Sequence, residues 1–155
     1  MILQILYHDK GMPRLTKTDR GDWIDLRAVA VQHQGTIHSL KDGPFNYQAG
    51  AHFLINLGIS VQLPAGHEAH VAPRSSTFKY FGLLQTNTPG IIDETYCGSE
   101  DIWFQSVYAL RPGTLHLYDR TSQFRIVEKM APVRITEVAE LGHDNRGGHG
   151  SSGKQ

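Results

Sequence analysis

The chain has no excess of charge of either sign, since its 155 residues include 15 lysines and arginines and 15 aspartates and glutamates. Proteins that bind nucleic acid usually carry a basic excess, because contacts with phosphate dominate their affinity. The composition therefore argues against a nucleic-acid partner. A small polyanion remains compatible with it, because such a ligand needs only a few well-placed cationic groups and amide donors.

Cysteine and long apolar runs are also scarce. Cys97 is the single cysteine, so no disulfide can form within the chain, and this is typical of a reducing compartment. The first six residues are mostly apolar, but that run is too short for the core of a signal peptide and far too short to span a bilayer. We therefore expect one soluble, cytoplasmic domain with no membrane partner.

Glycine and proline, by contrast, are frequent: 16 glycines and seven prolines separate short runs rich in β-branched and aromatic residues. This rhythm predicts an all-β fold, a sandwich or barrel of short strands. The predicted strands are 24–31, 53–63, 67–72, 102–110, 114–118 and 124–129. Residues 75–81 form the one predicted helix, with a serine as its cap and Gly82 at its end.

Three further patterns complete the predicted architecture. Apolar and polar residues alternate over 55–63, which indicates a half-buried antiparallel strand. The Pro-Gly pairs at 89–90 and 112–113 predict hairpin turns. After Leu141 the sequence becomes GHDNRGGHGSSGKQ, which contains no large aliphatic residue. We therefore predict a sandwich domain over 1–141 and a flexible glycine-rich tail over 142–155.

The segment APRSSTFKYFG joins a predicted strand to the predicted helix. The first amides of a helix lack internal partners and carry positive partial charge, so they suit a phosphate. Arg74 would add a bidentate cation, and Ser75 and Ser76 would add hydroxyl donors. The alternative is a capped helix beside a surface arginine.

The segment QTNTPGIIDETYCG places Asp93 directly after two isoleucines. We expect desolvation to raise the pKa of this carboxyl group, which would make it a better general base. The predicted hairpin would offer backbone groups to a base edge, with Asn87 nearby and Tyr96 flat against a sugar. As a lone residue, however, an aspartate in a turn often has only a turn-forming role.

Three other segments are weaker indicators when each is taken alone. In GDWIDLRA, an inward-pointing Asp25 would need an arginine or amide partner. In YDRTSQFRI, Gln123 could reach a water or phosphate, while Asp119 and Arg120 could form only a structural ion pair. In the tail, the glycines around Arg146 would let backbone amides and a guanidinium close over an anion.

Together and in this order, the five segments resemble the five motifs of the trimeric dUTPase family, from about Asp22 to Gly153. The resemblance implies a jelly-roll-like β-sandwich homotrimer whose active sites are each assembled from three subunits. It also implies Mg²⁺-dependent hydrolysis of dUTP to dUMP and pyrophosphate, which limits uracil in DNA and supplies dUMP for dTMP synthesis. The Mg²⁺ would be held by the substrate phosphates and water, with no direct protein ligand.

The resemblance also implies the roles of individual residues. Asp93 matches the base that activates a water in line with the α-phosphate, while Asp25 and Asp119 would support the site. The implied substrate contacts are Arg74, Ser75, Ser76, Asn87, Gly90, Ile91, Ile92, Tyr96, Gln123, Arg146, His149 and Ser151. His149 stands where the family carries a phenylalanine that stacks on uracil, so Trp103 or Phe104 is an alternative stacking residue.

Three alternatives accompany this reading. A dCTP deaminase shares the fold and parts of the motifs but would release ammonia. The chain also resembles the phage and Gram-positive branch of the family, some of whose members bind repressors, and this resemblance adds the hypothesis of a regulatory protein partner. A metalloenzyme is disfavoured, because the three-residue spacing of His67 and His70 sends them to opposite faces of a strand.

Overall fold

The computed structural model describes residues 1–145 and contains short antiparallel strands with one helix. The strands are β1 (Gln4–Tyr7), β2 (Ile24–Leu26), β3 (Ala30–His33), β4 (Thr36–Ser39), β5 (Phe45–Tyr47), β6 (His52–Asn56), β7 (Ile59–Gln62), β8 (His67–Pro73), β9 (Leu83–Gln85), β10 (Gly90–Ile92), β11 (Phe104–Ala109), β12 (Gly113–Leu115) and β13 (Ser122–Glu128). The helix α1 (Thr77–Phe81) lies between β8 and β9. The all-β prediction with one short helix is therefore confirmed.

Two larger sheets form the body of the molecule. One has the strand order β10-β8-β13-β2 and the other has the order β4-β3-β6-β11-β9, while β1-β7 and β12-β5 form separate two-stranded ladders. Apolar side chains from both large sheets bury a common core. Within it, Trp103 packs edge-on against Phe124 of β13, with ring centroids 5.2 Å apart, and both residues are fully buried. This core fixes the ends of the strands that carry the site.

Two predicted strands are each divided in the structure. The run 24–31 splits into β2 and β3, because the backbone between them bonds first to Asp119 and then to Asn56, and so passes from one sheet to the other. The run 53–63 splits into β6 and β7 at Gly58, which has a φ of +67° and whose amide donates to the Asn56 side chain. The half-buried alternation is wrong for β7, where Ile59, Ser60 and Val61 are all buried.

The helix and the two Pro-Gly turns also differ from prediction. Helix α1 begins at Thr77, two residues later than expected, and Ser76 makes no side-chain capping bond. Gly82 ends the helix in the left-handed conformation, as predicted. Neither Pro-Gly pair forms a hairpin, because β9 pairs with β11 while β10 pairs with β8, and β12 pairs with β5.

Beyond β13 the described chain has neither strand nor helix. The amide of Lys129 still bonds to the Gly66 carbonyl, but every residue over 130–145 is exposed. Within residues 1–145 no helix is long and apolar enough to cross a membrane.

Candidate active site

The loop after β8 carries Arg74, Ser75 and Ser76, and a buried threonine fixes its shape. The Thr77 hydroxyl accepts the Arg74 amide at 2.9 Å and donates to the Thr121 carbonyl, just before β13, at 2.7 Å. This residue is 1% exposed, so its two bonds are shielded from water. Sequence reasoning missed Thr77 because it resembles one more hydroxyl in a polar run.

Asp25 holds the side chains of two arginines. Its carboxylate accepts Arg74 Nε at 2.7 Å and Arg120 Nη1 at 2.9 Å, so the arginine partner expected for this aspartate is present. Asp25 lies opposite Gln123 in the β2–β13 ladder, and the Gln123 amide donates to the Pro73 carbonyl. Two guanidinium groups against one carboxylate leave a net positive charge with fixed geometry, which suits phosphate.

Asp25 and Arg120 border a cavity of about 420 Å³, and Arg74 lies beside it, bonded to Asp25. Asp25 is the single acidic residue among its described lining residues, whereas its basic lining residues are Arg14, Arg20, Arg27 and Arg120. The cavity therefore favours an anionic ligand. Sequence reasoning missed Arg14, Arg20 and Arg27, because their convergence depends on the loop before β2.

Asp119 lies in the turn before β13. Its carboxylate accepts the His116 amide at 2.8 Å, and its carbonyl accepts the Ala28 amide at 2.9 Å. The suggested ion pair with Arg120 is wrong, because Arg120 pairs with Asp25 instead. Asp119 therefore stabilises the turn from which Arg120 projects.

Asp93 follows β10 and is held by its own turn. Its Oδ1 atom accepts the Thr95 amide at 2.9 Å and the Thr95 hydroxyl at 2.8 Å, while Oδ2 lies 3.4 Å from Lys129 Nζ. The side chain is 47% exposed. The bonds from Thr95, and then the Lys129 ammonium, hold the pKa of Asp93 below its usual value, so the expected upward shift is wrong. The adjacent isoleucines do not enclose the carboxylate.

A cleft of about 370 Å³ opens beside Asp93. It is lined by Ile91, Ile92, Asp93, Tyr96, Ile102, Trp103 and Phe104. The Tyr96 hydroxyl donates to the Ile102 carbonyl at 3.2 Å, which orients an exposed ring along the cleft. The apolar walls and flat ring fit a base and sugar. Trp103 cannot stack on a ligand, because it is 0% exposed within the core, whereas Phe104 is partly exposed.

A polar chain, buried at its Gln105 end, connects the loop of Asn87 to the loop of Arg74. Gln85 donates to the Asn87 and Val71 carbonyls, both at 2.8 Å, and accepts Gln105 Nε2 at 3.1 Å. Gln105 in turn accepts the Thr121 hydroxyl at 2.7 Å. Gly90, buried beside this chain, pairs with Val71 of β8. Sequence reasoning missed these glutamines, because polar residues in strands usually face solvent.

We expect Gln105→Leu to destabilise the protein. Leucine fills a similar volume but leaves Gln85 and the Thr121 hydroxyl without their buried partner, which typically costs about 1–3 kcal/mol. Chemical denaturation measures this as a lower free energy of unfolding. Gln62→Leu is the matched control, because Gln62 is exposed on β7; equal stability of the two variants would contradict the role of the chain.

Asp93 and Arg74 lie at opposite ends of β8 in one subunit. Ile92 pairs with Ala69, which places Asp93 beside the start of β8, whereas Arg74 follows its end. The strand rise of about 3.3 Å per residue over six residues puts them roughly 20 Å apart. Strand β13 runs antiparallel to β8, so Gln123 lies at the Arg74 end and Lys129 at the Asp93 end. The structure therefore does not bring Asp93 to Arg74 within one subunit.

Two sets of residues remain, three predicted site residues of the tail and the two histidines considered as metal ligands. Arg146, His149 and Ser151 lie outside the described residues. His67 and His70 bond to different partners, the Ala65 carbonyl and the Glu68 carboxylate respectively. Within residues 1–145, no three His, Cys, Asp or Glu side chains form a cluster that could hold a metal ion.

Comparison with known proteins gives a full-length relative. The chain is 46% identical over 153 residues to the SPbeta prophage-derived deoxyuridine 5′-triphosphate nucleotidohydrolase YosS of Bacillus subtilis, covering 99% of both chains. No protein-family model matches the chain.

Two of the solved structures with the same fold come from staphylococcal phages. The dUTPase of Staphylococcus bacteriophage 80alpha with dUPNHPP, described in connection with the transfer of virulence genes, has a TM-score of 0.70 at 17% identity and covers 98% of each chain. The dUTPase of phage phi11 of S. aureus, described with a structural Mg(II) ion, has a TM-score of 0.70 at 13% identity and covers 91% of this chain and 99% of its own. At such identities the likeness shows the fold, the jelly-roll-like sandwich.

Proposed function

The chain belongs to the deoxyuridine 5′-triphosphate nucleotidohydrolase (dUTPase) family, and we propose that it hydrolyses dUTP to dUMP and pyrophosphate with Mg²⁺ as its cofactor. The observation that carries the proposal is the pairing of two unlike surfaces. One is a cleft that presents the Asp93 carboxylate beside apolar walls and a tyrosine, and the other is a cavity lined by arginines. A nucleoside triphosphate needs both surfaces, the cleft for its base and sugar and the cavity for its phosphates.

Asp93 is the general base of the proposed reaction. Because Oδ1 already accepts two bonds from Thr95, Oδ2 is the atom that takes a proton from water. The carboxylate is ionised at neutral pH and can accept that proton, although its lowered pKa makes it a weaker base than a desolvated aspartate would be. The resulting hydroxide attacks the α-phosphorus in line with the leaving pyrophosphate, and no covalent intermediate forms.

The arginine-lined cavity binds the triphosphate. Arg74, oriented by Asp25, would contact phosphate oxygens together with Ser75, Ser76 and Gln123, and Arg146 of the tail would close over them. The donor set fits a Mg²⁺ ion that is carried by the substrate, because the Asp25 carboxylate is already occupied by two guanidinium groups. When bound, Mg²⁺ supplies charge neutralisation and fixes the phosphate geometry.

Uracil selectivity comes from the segment around β10. Backbone groups of Gly90, Ile91 and Ile92 would pair with the base edge, with Asn87 beside it, and cytosine would leave some of these groups unsatisfied. Tyr96 would pack on the deoxyribose and exclude a ribose 2′-hydroxyl. Phe104 or His149 would stack on the base.

A homotrimer completes the site in this proposal. Asp93 and Arg74 must both reach the phosphates of one substrate, but they lie roughly 20 Å apart within one subunit, so a neighbouring subunit must supply one of them. The exposed segment 130–141 also supports self-association. Its apolar side chains are Met130, Val133, Ile135, Val138 and Leu141, each 57–92% exposed in the single subunit.

Ile135→Asp should weaken the trimer, because a carboxylate would replace an apolar side chain that is 92% exposed in the isolated subunit. Light scattering coupled to gel filtration should give the unchanged protein about three times the 17.3 kDa subunit mass and the variant a lower average mass. Glu137→Gln on the same segment is the control and should remain trimeric. A monomeric unchanged protein at micromolar concentration would refute the assembly.

Product analysis tests the proposed activity and separates it from a deaminase of the same fold. Incubated with Mg²⁺ and either dUTP or dCTP, the protein should release pyrophosphate from dUTP and no ammonia from dCTP. Ammonia release would indicate the deaminase, and dUTP left intact for hours would exclude the hydrolase.

A regulatory protein partner is a second, additional proposal. It is supported by the structural likeness to the 80alpha phage dUTPase, which is described as controlling the transfer of virulence genes. The exposed residues of the region 34–47, in which Leu40 and Tyr47 are buried, and Ser99 and Glu100 of the segment SEDIW are candidate docking surfaces. We also place the protein in the cytoplasm, where its exposed free thiol, Cys97, would stay reduced.

A further inference from the structure

Lys129 connects the end of β13 to the turn that carries Asp93. Its ammonium lies 3.0 Å from Glu94 Oε1 and 3.4 Å from Asp93 Oδ2. Its amide donates to the Gly66 carbonyl, while the Gly66 amide donates to Glu94 Oε2. Lys129 and Glu94 are thus anchored on the same residue, which fixes the ammonium beside Asp93.

The distances assign different partners to the two oxygens of Asp93. Oδ1 makes two normal hydrogen bonds with Thr95. The 3.4 Å between Lys129 and Oδ2 exceeds the roughly 2.7–2.9 Å of a direct charged hydrogen bond. Lys129 therefore lies beside Oδ2 at a distance too long for a strong hydrogen bond, so a lone pair of Oδ2 is left for a water molecule.

We infer that Lys129 is a positioning residue for hydrolysis, which sets the charge environment of Asp93 Oδ2, and that Glu94 limits this effect by competing for the same ammonium. The inference rests on the proposed role of Asp93 as the base. It adds two residues to which the resemblance assigned no role, Lys129 and Glu94, and a defined source for the charge environment of the base.

The charges around Asp93 act in opposite directions. Lys129 lowers the pKa of Asp93, after the larger contribution of Thr95, and it lowers the pKa of Glu94 as well. On β8, the strand paired with β10, Glu68 and His70 bond to each other at 2.6 Å. Removing Lys129 should therefore raise the pKa of Asp93, whereas neutralising Glu94 should lower it, since the ammonium is then left to Asp93.

The test is the pH dependence of kcat/KM for dUTP in Lys129→Met and Glu94→Gln. Expressed relative to its own value at pH 8, activity at pH 3.5, close to the ordinary pKa of an aspartate, should fall by up to about twofold in Lys129→Met, the range that an exposed ion pair allows, and should rise in Glu94→Gln. Lys129→Arg should restore the normal profile. Lys10→Met, an exposed lysine elsewhere, is the control for a general charge effect.

Opposite shifts would support the inference, because a purely structural role would reduce activity in both variants without moving the profile. Unchanged profiles, or shifts in one direction, would overturn it. If Lys129→Met does not fold, the rise in Glu94→Gln remains decisive. The proposed function fails separately, if Asp93→Asn retains full turnover.

Discussion

Asp93→Asn should abolish turnover of dUTP while leaving its binding nearly intact. Asparagine matches the shape of aspartate and can still accept the bonds from Thr95, but its side chain cannot take a proton from water. Loss of a general base typically slows a reaction by about 10²–10⁴-fold.

Two measurements check this prediction. Single-turnover release of pyrophosphate should fall with kcat, and calorimetry with a non-hydrolysable dUTP analogue should give an affinity close to that of the unchanged protein. Asp42→Asn, at an exposed position on a turn, is the matched control and should retain activity. Full pyrophosphate release by the Asp93 variant would show that the base lies elsewhere.

Deletion of residues 142–155 is expected to remove most of the activity and little of the stability. The buried apolar residues of the described chain all precede position 130, so the sandwich loses no core contact. The deletion does remove Arg146, proposed to bind the triphosphate, and loss of one such charge-stabilising group typically costs about 10²–10³-fold in kcat.

The deletion is checked by comparing kcat with the midpoint of chemical denaturation. The midpoint and the trimer mass should stay close to those of the full chain. A shorter deletion, of residues 154–155 alone, is the control and should change neither kcat nor the midpoint. Loss of the trimer would contradict this division between sandwich and tail, as would undiminished turnover.

The fold was predictable because short β-branched runs between glycines and prolines exclude long helices. The limits of the prediction lie at Arg27–Val29 and at Gly58, where the apolar pattern continues but the backbone changes its hydrogen-bonding partner. Periodicity reports which face of a strand is buried, and it does not report which strand lies beside it.

Sequence reasoning predicted which segments contribute to the candidate site, but not every charged residue that meets the others there. The requirement of Asp25 for an arginine followed from its apolar neighbours, and Arg74 and Arg120 meet it. The predicted direction of the pKa shift of Asp93 was wrong, first because its carboxylate accepts two bonds from Thr95 and is not enclosed by the isoleucines. The second cause is Lys129, which only the pairing of β13 with β8 brings near.

The polar chain through Gln105 was unpredictable for the same reason. A glutamine on a strand is usually exposed, and only the three-dimensional structure places Gln85 and Thr121 at its two ends. Such interior contacts join segments that are distant in sequence, so no local pattern indicates them.

Hydrolysis in ¹⁸O-enriched water tests the central claim most directly, because it identifies the phosphorus atom that the activated water attacks. Products of dUTP cleavage would be examined by ³¹P NMR, in which each bound ¹⁸O shifts the phosphorus resonance. We predict one labelled oxygen in dUMP and none in pyrophosphate. Label in pyrophosphate would mean attack at the β-phosphorus and would contradict the proposed alignment of water, Asp93 and the α-phosphate.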